Sequence, residues 1–196
     1  MFNSEIIKKI STASLTDAIG RKFSHCSHVL DLQSPTPDRI LFGKAVTIQY
    51  IPFREDHFAQ QKNDFASLFY QAVRDESEGA VLVMSASGQS DASLGGGTKL
   101  SRLENYKMAG VLAEGRLRDF HELGSYSFAS YCRGETSRWG GDTLMPFACN
   151  IPVTFSKVTI YPGDYIYAPR SIAVVIPGEH IEDVLEMALK VEEEDR

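Results

Sequence analysis

The chain has 196 residues, 43% of them hydrophobic, and a net charge of −6 from 26 acidic against 20 basic side chains. That length and apolar content suit one domain over residues 1–196 with a sizeable core, and an acidic balance without a basic stripe excludes the phosphate-neutralising footprint of a nucleic-acid binder. No apolar run approaches the ~20 residues of a membrane span, and the N-terminal MFNSEIIKKI is too short and too charged for a signal peptide, so a cytoplasmic protein without a membrane partner is expected.

Ser11-Thr12-Ala13-Ser14 offers N-cap hydroxyls before Leu15, Ala18 and Ile19, and Gly20 offers a stop, predicting a short helix. Residues 21–38 read as a loop. Gly43 opens a β-rich run to Tyr50, a predicted strand. Phe65, Leu68, Phe69, Ala72 and Val73 recur at helical spacing, and Gly79 separates them from the apolar run 80–84, a predicted buried strand. Leu94-Gly95-Gly96-Gly97 opens a helix with Leu100 and Leu103 inward, which yields at Gly110 to the strand-like Val111-Leu112-Ala113. This is the length of a strand–helix–strand crossover. Short β pieces follow at 128–131, 153–160, 165–168 and 172–176, with Pro162-Gly163-Asp164 as a turn, and a terminal helix starts near Glu179.

The most specific chemistry lies between Gly97 and Glu122: a glycine, a twenty-residue spacer, Arg118-Asp119, two residues, and an acid. Gly96 and Gly97 let the backbone turn tightly at a helix start whose Thr98, Lys99 and Leu100 amides lack helical partners, an end that binds anions or merely turns the chain. Lys99 bears on that choice, because a cation in the first turn opposes the helix dipole by ~0.3–1 kcal/mol unless it faces an anion. Arg118 can clamp a carboxylate through two parallel hydrogen bonds. Asp119 can hold Mg²⁺ or Mn²⁺, since Mg²⁺ takes only one or two protein carboxylates and keeps waters elsewhere. The competing reading of Arg118 and Asp119 is an ordinary surface pair or a helix cap. Glu122, three residues beyond Asp119, is an acid holding a water or a capping residue.

Other candidates are weaker. Cys26, Cys132 and Cys149 are odd in number and lack metal-ligand spacing, and His25 and His28 around Cys26 want a fourth ligand. Arg133, Arg138 and Trp139 belong to a glycine-rich segment that lines either a pocket or a subunit interface. No nucleophile elbow, P-loop or dinucleotide fingerprint is present.

These residues resemble the RraA-like family, which includes the class II 4-hydroxy-4-methyl-2-oxoglutarate/4-carboxy-4-hydroxy-2-oxoadipate aldolases. The resemblance runs through Leu15-Thr16-Asp17-Ala18, Gly43-Lys44-Ala45-Val46-Thr47, Gly79-Ala80-Val81-Leu82-Val83, Ala109-Gly110-Val111, Gly115-Arg116-Leu117-Arg118-Asp119 and Pro162-Gly163-Asp164. It implies an α/β fold, an αββα sandwich related to the swivelling β/β/α domain, assembled as a homotrimer or hexamer with sites between subunits. It further implies divalent-metal lyase chemistry on a small 2-oxo acid, with Arg118 on the carbonyl or enolate oxygen, Asp119 on the metal and the backbone from Gly97 to Leu100 on the pyruvyl carboxylate. A non-catalytic regulator that binds a protein partner, or another enolate reaction such as dehydration, is the alternative the resemblance leaves. Three features depart from the family pattern: Lys99, Lys107 where a small residue is common, and Pro169-Arg170-Ser171-Ile172-Ala173 before the last strand.

Overall fold

The computed structural model describes residues 4–58 and 64–194. Four parallel strands form its centre: β2 (Leu41–Pro52), β3 (Val81–Ser85), β5 (Gly110–Ala113) and β7 (Ala129–Tyr131). The sheet continues antiparallel from β2 through β11 (Tyr165–Ala168) and β12 (Ala173–Ile176) to β1 (His28–Val29), while β8 (Leu144–Cys149) pairs with the far end of β2. Smaller pairs are the hairpin β9 (Val153–Phe155) and β10 (Val158–Ile160), and the parallel β4 (Ser93–Gly95) with β6 (Arg116–Leu117). The helices are α1 (Ser4–Ile7), α2 (Thr12–Lys22), α3 (Glu55–Phe58), α4 (Phe65–Ala72), α5 (Gly97–Asn105), α6 (Phe120–Ser125) and α7 (Ile181–Glu194).

Alternation along the strands sorts the side chains onto two buried faces. Leu82 and Met84 of β3 and Val111 and Ala113 of β5 meet Leu68 and Phe69 of α4 and Leu100 and Leu103 of α5. Val81, Val83 and Leu112 point the other way, into a core closed by the β9–β10 residues Val153, Phe155, Val158 and Ile160. Strands covered on both sides read as unbroken apolar runs, the pattern of β3 and β5. At the other end of the sheet Val174 and Ile176 pack under Leu15 and Ile19 of α2 and Val184 and Leu185 of α7. The fold is α/β, as the sequence implied.

Four local expectations are corrected. Gly20 lies inside α2, which continues to Lys22 because Leu15, Ala18 and Ile19 are buried and Arg21 and Lys22 reach the acids Glu194 and Asp183 of α7. The run 153–160 is a hairpin, broken at Ser156, whose φ is 55°. The predicted loop 21–38 contains β1, and β8 was not expected at all: Pro146 lies within it, which an edge strand tolerates. Lys107 occupies a left-handed conformation, φ 51°, at the exit of α5, a region that glycine enters without steric cost. Among the described residues no helix is long and apolar enough to cross a membrane.

Candidate functional site

The short β4–β6 pair draws the two ends of the Gly97–Arg118 interval together. Ser93 lies opposite Arg116 and Gly95 opposite Leu117, and the Arg118 amide donates to the Gly95 carbonyl at 2.8 Å. Gly96 then caps α5 in an extended conformation without a side chain to contribute. Any Cβ at Gly96 would collide with Asp119 Oδ2 and stand 2.9 Å from the Arg118 Cβ; one at Gly97 would collide with the Glu122 carboxylate. Glycine is needed here for close approach between two loops rather than for a left-handed turn.

Asp119 is left-handed, with φ 61° and ψ 47°, a region that aspartate enters more readily than most residues. It precedes α6, yet its side chain makes no cap bond; Glu135 Oε1 accepts from the Phe120 amide at 3.0 Å instead. The Asp119 carboxylate faces the start of α5, where Oδ2 accepts from the Gly97 amide at 3.3 Å. Among the described residues neither Arg118 nor Asp119 forms a salt bridge, and the Arg118 Nε is buried without a partner. The geometry therefore fits neither an Arg–Asp surface pair nor a cap.

The α5 start divides. Leu100 is fully buried and its amide already donates to Gly96 at 3.0 Å, so the expectation that it offers a free amide is corrected. The Thr98 and Lys99 amides have no acceptor among the described residues. The Lys99 side chain folds inward: Nζ donates to the Leu94 carbonyl at 3.1 Å and stands 4.9 Å from the Phe65 ring centre. Burial, and then the like charge of Arg102, hold its pKa below 10.5. Glu122 lies behind Gly97, its Oε1 accepting from the Tyr126 hydroxyl at 2.7 Å, and that contact with Glu122 leads the causes that raise the Tyr126 pKa.

Gly96, Thr98, Lys99, Arg118 and Asp119 line one cleft of about 690 Å³, whereas Gly97, Leu100 and Glu122 do not. Sequence reasoning missed Arg102, Asp64 and the cleft role of Phe65. Arg102 was detectable, being three residues from Lys99 on the same helical face. Trp139 does line the cleft; Arg133 does not, and donates instead to the Leu30 carbonyl and the Ser156 hydroxyl.

A family model for RraA-like proteins, described as Aldolase/RraA, matches residues 12–175. The chain belongs to the RraA-like family. A protein of Halalkalibacterium halodurans provisionally named 4-hydroxy-4-methyl-2-oxoglutarate aldolase is 30% identical over 125 residues, 64% of this chain; the match spans 59% of that relative's length. An uncharacterized protein of Methanocaldococcus jannaschii is 22% identical over 191 residues, 97% of this chain and 84% of its own. In fold, the chain is similar to Streptomyces coelicolor RraAS2, described as an unusual member of the RNase ES inhibitor RraA protein family, with TM-score 0.82 at 23% identity, covering 100% of this chain and 96% of that one.

In this RraA-like chain Glu114 is buried just past the end of β5. Its Oε2 accepts from the amides of Ala86 (2.7 Å) and Gly88 (3.3 Å) and from the Ser85 hydroxyl (3.3 Å), and its Oε1 from the Ser156 amide (2.8 Å). It ties the end of β3 and the β9–β10 hairpin to the strand that leads into Arg118. A larger cleft, about 930 Å³, lies elsewhere, around His25, Cys26, Asp164 and His180. Among the described residues no group of three or more His, Cys, Asp or Glu is arranged to hold a metal, there or elsewhere.

Proposed function

We propose that the protein is a divalent-metal-dependent lyase that breaks a carbon–carbon bond in a small 2-oxo acid through a pyruvate enolate, as an aldolase or an oxaloacetate-type decarboxylase. One observation carries the reading: Arg118 with an unpartnered buried Nε, Asp119 with its carboxylate turned away from its own helix, and the α5 start all meet on one cleft. Family membership and the name of the H. halodurans relative support it.

In this reading the Thr98 and Lys99 amides, at the positive end of α5, hold the substrate carboxylate. Arg118 donates to the carbonyl oxygen and stabilises the charge it gains as the bond electrons move toward it. Asp119 holds Mg²⁺ or Mn²⁺. A single hard carboxylate without a competing salt bridge suits an ion that keeps most of its waters, rather than one caged by protein. When bound, such an ion supplies Lewis-acid stabilisation of the enolate oxygen. Glu122, bonded to Tyr126, braces Gly97 from behind and acts as a positioning residue.

The same proposal includes a homotrimer or hexamer. Trp139, 66% exposed, and Phe58, 49% exposed, stand on the cleft wall as large apolar surfaces of the kind subunit contacts cover. Purified protein with Mg²⁺ or Mn²⁺ should release pyruvate from oxaloacetate or a 4-hydroxy-2-oxo diacid, and EDTA or Asp119→Ala should remove that activity. Undiminished turnover in EDTA would overturn the metal role.

A further inference from the structure

The cleft carries two cations besides Arg118, and both come from α5. Lys99 Nζ is 4.9 Å and the Arg102 guanidinium carbon 6.0 Å from the centre of the same Phe65 ring. Arg102 spends Nη1 on the Thr98 and Lys99 carbonyls, at 3.4 and 3.1 Å, but its Nε is buried and unpartnered. Among the described residues neither cation has a salt bridge. The acid on their side of the cleft, Asp64, is engaged as the N-cap of α4, accepting from the Ser67 amide at 2.7 Å.

Two like charges three residues apart repel, and a partly buried lysine loses hydration that one carbonyl and an aromatic face replace only in part. An anion arriving between them would relieve both costs. Arg118 lines the same cleft, so the cavity has cationic donors for two anionic groups, and its volume accommodates a five- or six-carbon acid.

We propose that the side chains of Lys99 and Arg102, set on Phe65, form a second anion subsite that takes the distal carboxylate of a dicarboxylic 2-oxo acid and selects diacids over monoacids. This rests on the reading of the Arg118–Asp119 end as a 2-oxo acid site. The backbone of Lys99 serves the near carboxylate and its side chain the far one, so a single residue couples reaction end and specificity end. Discrimination then comes chiefly from leaving the cation pair uncompensated when a monoacid binds.

The test compares two probes of equal chain length, 2-oxoglutarate and 2-oxopentanoate, by titration calorimetry with Mg²⁺ present. Wild type should bind the diacid at least about 10-fold more tightly, and Lys99→Met and Arg102→Met should each bring that ratio down to about 1–3, with Lys99→Arg retaining most of it. A ratio unchanged in both methionine variants would overturn the subsite. So would an equal loss of both probes, which would move the pair to the shared 2-oxo end. Failure of wild type to bind either probe would instead sink the 2-oxo acid reading itself, and the subsite with it.

Discussion

The Gly97 amide donates to Asp119 Oδ2 across 3.3 Å, joining residues 22 positions apart at the point where α5 begins and α6 is about to begin. The contact depends on two glycines with different neighbours. At Gly96 a methyl would press on the Arg118 Cβ, which the backbone holds in place, as well as on the Asp119 carboxylate; at Gly97 it would press only on the end of Glu122, which can swing away. Gly96→Ala should therefore destabilise the fold by about 1–3 kcal/mol and abolish turnover. Gly97→Ala should leave the melting temperature nearly unchanged while lowering kcat, because it displaces Glu122 from Tyr126. Paired thermal melts and steady-state kinetics separate the two.

Asp119 combines a charge with a left-handed backbone, and substitutions can remove one at a time. Asparagine tolerates that conformation, so Asp119→Asn should fold with a melting temperature within about 2 °C of wild type while Mn²⁺ affinity falls at least ~10-fold. Asp119→Val should also lose about 1–2 kcal/mol, the strain of a β-branched residue at φ 61°. Urea melts alongside metal titration read both; tight Mn²⁺ binding by the asparagine variant would remove Asp119 from the metal role.

Lys99 lets stability and pH be set against each other. Its pKa is depressed in the folded state, so between that value and the ordinary 10.5 the unfolded chain binds more protons than the folded one. Stability from this group rises with pH across the window, and the full penalty is present below it. Lys99→Met should raise the melting temperature at pH 7, with the gain shrinking as pH climbs toward 10.5. A gain independent of pH would assign the effect to packing.

Glu114 should be hard to replace. Three backbone amides and the Ser85 hydroxyl converge on its carboxylate. Glu114→Ala strands the three amides in a buried place, while the Ser85 hydroxyl keeps the Thr154 carbonyl at 2.6 Å, and should cost about 3 kcal/mol or more, read from the urea midpoint. Glu114→Gln should fall between, since its amide nitrogen cannot accept from the donors it faces.

Gly20 offers the opposite case. It sits in α2 with nothing within 4 Å of where a Cβ would stand, so Gly20→Ala should stabilise by about 0.5–1 kcal/mol in chemical denaturation.

Much of the fold was readable because its parallel strands are buried on both faces and separated by glycines: β3, β5, α4 and α5 fall where apolar runs and helical spacing place them. Gly20 misled because the packing of α2 on α7 outweighs one residue's propensity. Pro146 concealed β8, since a proline argues against a strand unless the strand is known to lie at an edge. At the site, residue types announced Arg118 and Asp119, but no sequence pattern specifies that Asp119 forgoes capping, that Leu100 has spent its amide, or that Phe65 supports two cations. The Asp119 placement depends on the two-residue β6, too short to leave a periodic trace, the Leu100 bond on where α5 begins, and the Phe65 contacts on how α4 meets α5.

The interval from Gly97 to Arg118 is a round trip: outward along α5, back along β5, and through β6 to the point of departure. Past Arg102 its side chains mostly fill the core, so that stretch serves as a ruler. One residue more or less in β5 would exchange its side chains between the two buried faces and carry Arg118 off the Gly95 carbonyl. Descendants of this chain can thus rewrite the letters of the return leg freely within the limits of packing, while their number is held fixed by a rendezvous at its end.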